Sequence, residues 1–317
     1  MKIILNTLLL VLSVTSFYVN AGCSVTFTVR KNIQFGAVIV QRDTPVGTTI
    51  ASVSAPGTNA KIGSCTPSGG YEYDQMVYLG GGSTGIYQVY STNIPGVGIQ
   101  GNWDGYTYSN PVNFSNIPPK STDAFLPDSG SQNFQLIKTG NITSGSLSTG
   151  IVAKTYYDAT GPSVSGVEIS LINSTVTQVA CSITTPNLTF PIGNVLASTF
   201  GTSVGTVPAA AKNTQNLGLN CDANANINVT LTGTQNPDVS TTSVLALTGQ
   251  GSAGVAKGVG VQILYNSSPL VLNNRIVLKQ SNGGQETFPL TARYYQTKTA
   301  VTTGTANSSA TLNLTYQ

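Results

Sequence analysis

GTANSSATLNLTYQ, residues 304–317, ends the chain with a strict alternation of apolar and polar side chains. Ala310, Leu312, Leu314 and Tyr316 fall on one face of an extended strand, and the polar residues between them fall on the other. The pattern therefore predicts a half-buried strand. Most domains let their last residues fray, so a terminus built to pair indicates that another segment completes the sheet beside it.

The same period-two alternation recurs upstream and predicts further strands. In the second half it covers residues 217–221, 227–231, 259–265 and 288–294, with strands also expected at 182–190 and 243–248. The first half alternates in the same way, and no stretch has the pattern of an amphipathic helix of three or more turns. With 34 glycines and polar turn segments between the runs, the chain is predicted to be all-β, with two antiparallel sandwiches of the immunoglobulin-like or jelly-roll kind.

The chain is expected to consist of a signal peptide and two domains. Residues 1–21 combine Lys2, an apolar stretch and a small-residue VNA ending, which is the pattern of a secretory signal peptide. About 295 residues remain, which suits two domains of roughly 150 residues each. We predict a first domain over residues 22–172, a short polar linker at 173–178 and a second domain over 179–317.

Four cysteines, two in each half, indicate disulfides in a secreted protein. Cys23 with Cys65 and Cys181 with Cys221 each enclose a loop of about 40 residues, which favours one bridge per domain. Four cysteines allow three connectivities, so the other two stay open. A zinc site has little support because the chain contains no histidine and no close cysteine pair, and no metal site is expected.

Composition argues against several classes of function. Fourteen basic and eleven acidic residues are scattered without a run, so no nucleic-acid partner is expected. The absence of histidine removes Ser-His-Asp and Cys-His catalysis. Asp74 and Asp104 leave a paired-carboxylate hydrolase open, although some of eleven acids lie near each other by chance. We expect neither an enzyme nor a cofactor.

The residues of the second half resemble the pilin domain in tip adhesins of bacterial chaperone–usher fimbriae, of the type 1 and type 3 group. The resemblance rests on a first-strand cysteine with its partner about 40 residues on, Gly304 fourteenth from the end, and the penultimate Tyr316. In the first half, residues 90–99, YSTNIPGVGI, and 134–145, FQLIKTGNITSG, are similar to segments of the adhesin domains of that group.

The resemblance implies an incomplete pilin sandwich that lacks its last strand. A periplasmic chaperone, and later an adjacent fimbrial subunit, would insert a strand into the gap during assembly at an outer-membrane usher. The residues that border this interface would be Gly304, Leu312, Leu314, Tyr316 and Gln317. A domain with a disulfide takes the place of the N-terminal strand that a shaft subunit donates. The resemblance therefore predicts secretion through the periplasm to the fimbrial tip on the bacterial surface.

A tip adhesin needs a surface for a host receptor, here a glycan or an extracellular-matrix protein. A glycine-flanked segment gathers aromatic and polar groups suited to sugars, namely Asn102, Trp103, Asp104, Tyr106 and Tyr108. A second cluster contains Tyr73 and Asp74. The alternative is that Trp103 belongs to the core and that Tyr106 and Tyr108 share one face of a strand. The alternative for the whole chain is a structural or capping subunit without a ligand.

Overall fold

The computed structural model describes residues 22–317, so the predicted signal peptide lies outside the described residues. Those residues form strands β1 to β24, two short 3-10 turns at Tyr78–Gly80 and Ala197–Thr199, and no α-helix. The prediction of an all-β chain with two sandwich domains is confirmed.

The first domain is built from sixteen strands. In chain order, β1 to β16 are Cys23–Val25, Val29–Ile33, Ala37–Gln41, Thr49–Pro56, Lys61–Cys65, Gly70–Met76, Tyr90–Ser91, Val97–Trp103, Tyr106–Thr107, Asn113–Ile117, Ala124–Pro127, Ser131–Lys138, Gly145–Ser146, Gly150–Tyr157, Ser165–Leu171 and Thr175–Val179. They form sheets in the orders β1-β5-β11, β10-β6-β14-β15-β2, β4-β12-β8-β7 with β9 beside β8, and β13-β16-β3.

One apolar core joins these sheets. Side chains with at most 2% of their surface exposed come from strands of three different sheets, namely Ile33, Ile62, Ile99, Phe134 and Ile169. Two strand pairs are parallel, β15 with β2 and β16 with β3, and each joins a strand near the start of the domain to one near its end. The two ends of the domain are therefore held together by backbone hydrogen bonds.

The predicted linker at residues 173–178 is mostly a strand. Residues 175–179 form β16, which pairs in parallel with β3. Val176 is fully buried in the first core and Val179 is buried in the second. The polar composition of the segment predicted a linker, but its exposed threonines, Thr175 and Thr177, flank the buried Val176 as in a half-buried strand. Ala180 alone separates β16 from the next strand.

The second domain contains eight strands. In chain order, β17 to β24 are Cys181–Ile183, Lys212–Cys221, Asn226–Thr232, Val259–Tyr265, Ser268–Pro269, Arg275–Gln280, Gly284–Gln296 and Thr311–Tyr316. They form one sheet in the order β17-β18-β23-β20-β21 and another in the order β22-β19-β24. Buried side chains from both sheets form the second core, including Leu219, Ile227, Leu290 and Tyr316.

Two strands expected in this domain are shorter than predicted. The strand expected over 182–190 ends at Ile183, and Leu188 and Phe190 pack half-buried against the core without strand pairing. The segment 243–248 makes only isolated bridges through Leu245, to Gln235 and Val261. Apolar spacing predicted burial correctly at residues 243–245, but the backbone pairing there is limited to single bridges.

Both disulfides pair as the one-bridge-per-domain hypothesis favoured. Cys23 is bonded to Cys65 and Cys181 to Cys221, with sequence separations of 42 and 40. In each case the two cysteines are direct cross-strand partners, on β1 and β5 or on β17 and β18. Each bridge therefore closes one loop inside one domain, which restricts that domain's unfolded chain.

Candidate functional sites

Strand β24 lies at the edge of its sheet. It pairs with β19 on one side, and within residues 22–317 no strand pairs with its other side. Leu312 and Leu314 are half-buried and Tyr316 is buried, so the predicted alternation is present. Such an edge presents both unpaired backbone groups and apolar side chains.

The backbone of Tyr316 shows which groups face the open side. Its N–H donates to Oδ2 of Asp43 at 2.8 Å, and its carbonyl oxygen accepts from the Asp43 N–H at 3.1 Å. Because Asp43 lies on the first domain and not on β19, these groups of Tyr316 point away from β19. Alternate residues of a strand direct their backbone groups to the same side. Leu312 and Leu314 therefore present their N–H and C=O groups to the open edge.

A cavity of about 400 Å³ lies near the beginning of this edge. Its lining includes Phe200, Val259, Tyr294 and Gly304. A Cβ atom on Gly304 would lie 2.4 Å from the backbone nitrogen of Ala256, so only glycine fits where these two segments cross. Gly304 thus permits two backbone segments to cross closely beside the cavity.

The two domains meet where residues 41–43 of the first domain contact the start of β19 and the end of β24. The Gln41 side chain donates to the Asn224 carbonyl and accepts from the Asn226 N–H, each at 2.8 Å. The Arg42 guanidinium lies 4.6 Å from the centre of the Tyr316 ring. Gln317 donates from its side chain to the Asp43 carbonyl at 3.3 Å. The end of the last strand is therefore also part of the domain junction.

The segment 102–108 divides into buried and exposed residues. Trp103 is 6% exposed and its indole N–H donates to the Ser129 carbonyl oxygen. Tyr108 is fully buried and stacks on Phe134 with ring centres 5.7 Å apart. Asp104 and Tyr106 are exposed at the hairpin between β8 and β9, and Asn102 is half-buried. As placed here, Trp103 and Tyr108 have no ring face open to a ligand.

Tyr73 and Asp74 lie on opposite faces of β6. Asp74 is buried and accepts a hydrogen bond from the Thr155 hydroxyl at 2.6 Å. Burial raises the pKa of Asp74 to about 7, and repulsion from the Glu72 carboxylate adds to this shift. Burial also raises the pKa of Glu72, which accepts from the Tyr157 hydroxyl at 2.9 Å. Asp74 is thus inside the domain, and Tyr73 faces outward.

Sequence reasoning missed an outward-facing group of aromatic rings around Tyr73. We call Tyr71, Tyr73, Phe114 and Tyr156 the aromatic ridge; they lie on β6, β10 and β14. Phe114 lies 5.4 Å from Tyr71 and 5.9 Å from Tyr73, and Tyr73 stacks on Tyr156 at 5.0 Å, all between ring centres. The alternation of Tyr71 with Tyr73 was visible in the sequence. The pairing of their strand with β10 and β14 was not.

In the part of the chain that the structure describes, no cluster holds three or more acidic or cysteine side chains arranged to bind a metal ion. No helix of residues 22–317 has the length and apolar character needed to cross a membrane.

Two family models together match most of the chain. The model described as "MrkD-like receptor binding domain" matches residues 32–177, and the model described as "Fimbrial protein" matches residues 171–317. A fimbria adhesin protein of Klebsiella pneumoniae is 29% identical over 90% of this chain and 90% of its own length. The type 1 fimbrial subunit of Salmonella typhimurium is 32% identical over 50% of this chain and 88% of its own length.

Two solved structures show low similarity to this chain. The receptor-binding domain of the plasmid-borne adhesin MrkD1P of Klebsiella pneumoniae is 24% identical, covers 51% of this chain and 99% of its own, and has a TM-score of 0.41. The CupB6 tip adhesin of Pseudomonas aeruginosa is 14% identical, covers 92% of this chain and 94% of its own, and has a TM-score of 0.37.

Proposed function

We propose a function from one premise: this chain belongs to the fimbrial proteins, and it joins a MrkD-like receptor-binding domain to a fimbrial protein domain. In our proposal the first domain binds a host-surface receptor, either a glycan or an extracellular-matrix protein. The second domain joins the fimbria by accepting a strand from another polypeptide. The protein then acts as an adhesin at the tip of the fibre.

The observation that carries the assembly proposal is the open side of β24. Leu312 and Leu314 direct backbone groups to that side, and an added strand would find donors and acceptors there. Their half-buried side chains offer apolar contacts to the side chains of the added strand, and the nearby cavity leaves space beside the start of the edge. At Tyr316 the corresponding backbone groups are already bonded to Asp43, so pairing with a donated strand ends before that residue.

The proposed partners follow from this edge. A periplasmic chaperone supplies the strand first, an outer-membrane usher receives the complex, and an adjacent fimbrial subunit supplies the strand in the fibre. Gly304 borders the cavity, and Gln317 bonds at the junction next to the end of the groove. This route takes the chain through the periplasm to the bacterial surface.

For the receptor we retain the exposed members of the predicted site. Asn102, Asp104, Tyr106 and Tyr73 have surface open to a ligand. Trp103, Tyr108 and Asp74 are buried, and in the proposal they support the strands on which the others lie. Their burial is consistent with the alternative in which Trp103 is a core residue.

Adherence of bacteria tests the receptor half of the proposal. A strain lacking this chain would be complemented with the full chain and assayed on host cells and on panels of glycans and matrix proteins. We expect adherence to return with the chain. If the chain reaches the surface but restores no adherence to any cell or panel, the capping-subunit alternative is correct.

The family contains structural and adhesive subunits, and the proposal includes no catalytic activity.

Two matched substitutions test the assembly half. Leu314→Asp places a charge in the proposed groove, and Val277→Asp places one on β22, at the opposite edge of the same sheet, where Val277 is 67% exposed. We expect Leu314→Asp to abolish recovery of a chaperone complex from the periplasm and Val277→Asp to leave it unchanged. Equal recovery of both variants would contradict strand donation beside β24.

A further inference from the structure

The aromatic ridge crosses three adjacent strands on the outer face of one sheet. The register places Phe114 directly across from Tyr73, and Tyr73 directly across from Tyr156. Two residues from Tyr73 in one direction along β6, Tyr71 lies across from Asn116, and two residues in the other direction, Gln75 lies across from Lys154. Because side chains alternate between faces, all of these residues project from the same side of the sheet.

The ridge has an exposed end and a supported end. Phe114 on the edge strand is 64% exposed and Tyr71 is 42% exposed. Tyr156 is only 7% exposed, and its ring stacks on Tyr73 at an interplanar angle of 6°. Tyr73 contacts both Tyr156 and Phe114, so it connects the covered end of the row to the exposed end. Contiguous apolar patches on a soluble surface mark sites of interaction, and an isolated exposed ring does not.

A single ammonium group stands beside the supported end. Nζ of Lys154 lies 5.7 Å from the centre of the Tyr156 ring and donates to the Pro162 carbonyl at 3.0 Å. Lys154 takes part in none of the ion pairs of residues 22–317. The carboxylate across from it, Glu168, is paired with Arg30 on its far side. Lys154, Glu168 and Arg30 together therefore carry one net positive charge, which complements an acidic group on a ligand.

We propose that the aromatic ridge binds an acidic oligosaccharide, whose apolar sugar faces stack on Phe114 and Tyr71 and whose carboxylate or sulfate reaches Lys154. The side-chain amides of Asn116 and Gln75 flank the rings and bond the sugar hydroxyls. Strands β10 and β14 are two strand spacings apart, about 10 Å, so the ligand contains two or more sugar units. The inference rests on the proposed function, because it assigns a ligand and a surface to the receptor-binding domain.

Another part of the first domain offers a matched comparison. Phe125 on β11 is 54% exposed, and Nζ of Lys61 lies 5.9 Å from its ring centre. This pair has the same two chemical groups as Phe114 and Lys154, but Phe125 has no aromatic neighbour in contact within the described residues. A ligand that needs a continuous row of rings should bind the aromatic ridge and not the Phe125–Lys61 pair.

The test uses bacteria that display the full chain, with surface amounts equalised by antibody. The acidic probes are bead-bound hyaluronan hexasaccharide, heparin hexasaccharide and 3′-sialyllactose. The neutral probes are carboxyl-reduced hyaluronan hexasaccharide and lactose. We expect retention on at least one acidic probe and retention weaker by about tenfold or more on its neutral counterpart. Retention on none of the acidic probes, or equal retention on acidic and neutral probes, overturns the inference.

Substitutions then locate the surface. Phe114→Ala removes an exposed ring without opening the core, and we expect it to weaken retention by about tenfold. Lys154→Gln should remove the preference for acidic probes and leave weak binding to neutral ones. Phe125→Ala and Lys61→Gln should behave like the wild type. Wild-type retention by Phe114→Ala, or equal losses in the Phe125→Ala control, overturns the assignment of the surface.

Adherence to host cells, measured in parallel, separates this inference from the proposed function. If the displayed chain adheres to cells or to matrix proteins but to no acidic glycan, the ridge inference fails and the adhesin proposal stands. If it adheres to nothing, both fail. If peptides from a matrix protein are retained and Phe114→Ala reduces that retention, the surface binds a polypeptide and the glycan assignment is wrong.

Discussion

The two domains begin alike and differ in what each leaves unsatisfied. Each starts with a short strand whose cysteine is bonded to its direct cross-strand partner. The first domain then encloses two carboxylates, Glu72 and Asp74, whose pKa values burial raises. The second domain instead leaves one side of β24 without a strand among the described residues. We therefore expect the stability of the first domain to depend on pH and, on the proposed function, the stability of the second domain to depend on a donated strand.

The largest expected effect is on the second domain alone. Fusing an alternating apolar strand to the chain through a flexible linker should raise the free energy of unfolding of that domain by about 4 kcal/mol or more, because burying each large apolar side chain contributes roughly 2 kcal/mol. Calorimetry should show the second transition moving up while the first stays in place. A fused strand of polar residues is the control. Equal shifts of both transitions would contradict the comparison.

Removing a disulfide should affect the domains equally. Replacing Cys23 and Cys65 by alanine, or Cys181 and Cys221 by alanine, frees a loop of nearly the same length. Each pair should lower the free energy of unfolding of its own domain by roughly 3 to 4 kcal/mol. Denaturant titration with one fluorescent or chemical-shift probe per domain measures both. A loss that appears in the other domain would show that the domains unfold as one unit.

The pH dependence should lie in the first domain. Folding raises the pKa of Asp74 from its usual 3.8 to about 7, so the folded state holds this proton more tightly than the unfolded state. Its contribution to stability is therefore full below pH 3.8 and is lost as the pH rises through about 7. Asp74→Asn should stabilise the first domain at pH 8 by on the order of 2 kcal/mol and give little gain at low pH.

Thermal unfolding at pH 5 and pH 8 measures this difference. Asp123→Asn, which removes an exposed carboxylate of the same domain, is the matched control and should change neither value. If Asp74→Asn keeps the wild-type pH dependence, the buried carboxylate does not govern it. If the second domain shows the same pH dependence as the first, the contrast between the domains is wrong.

The smallest effect concerns Asp43 at the junction. Burial alone would raise the pKa of Asp43, but bonds from Arg42 and from the Tyr316 N–H outweigh it and lower the pKa below 3.8. The stability that the Asp43 carboxylate contributes is therefore present above pH 3.8 and is lost as the pH falls through the lower pKa of the folded state. Because 28% of the Asp43 side chain stays exposed, solvent screens its ion pair, and Asp43→Ala should cost less than about 1 kcal/mol.

Hydrogen exchange at single amides measures the Asp43 contact directly. In the wild type the Tyr316 N–H should be protected and the Leu314 N–H, which faces the open edge, should exchange fast. Asp43→Ala should make the Tyr316 N–H exchange fast. Asp43→Asn keeps an acceptor oxygen and should retain most of the protection of that N–H. Protection of Leu314 in the isolated chain would mean that its side of β24 is covered.

Sequence reasoning predicted strands better than it predicted surfaces. Leu312, Leu314 and Tyr316 lie on one face because the period of a strand is two in every fold. Trp103 satisfied the residue-type argument for a sugar site, but β8 lies inside its sheet and turns that side chain into the core. The polar composition of residues 173–178 predicts a linker, but the buried Val176 among them belongs to a strand.

The sequence by itself determined the all-β class and the alternating faces of the last strand, because these depend on neighbours along the chain. It also placed two cysteines in each half, but the structure decided how they pair. Only the tertiary structure decided which strands lie side by side. Tyr73, Phe114 and Tyr156 belong to three separate strands, and they form one row because pairing set their register. Asp43 likewise reaches Tyr316 only because the domains meet there. Contacts between distant segments depend on the free energy of the whole fold, which no local pattern contains.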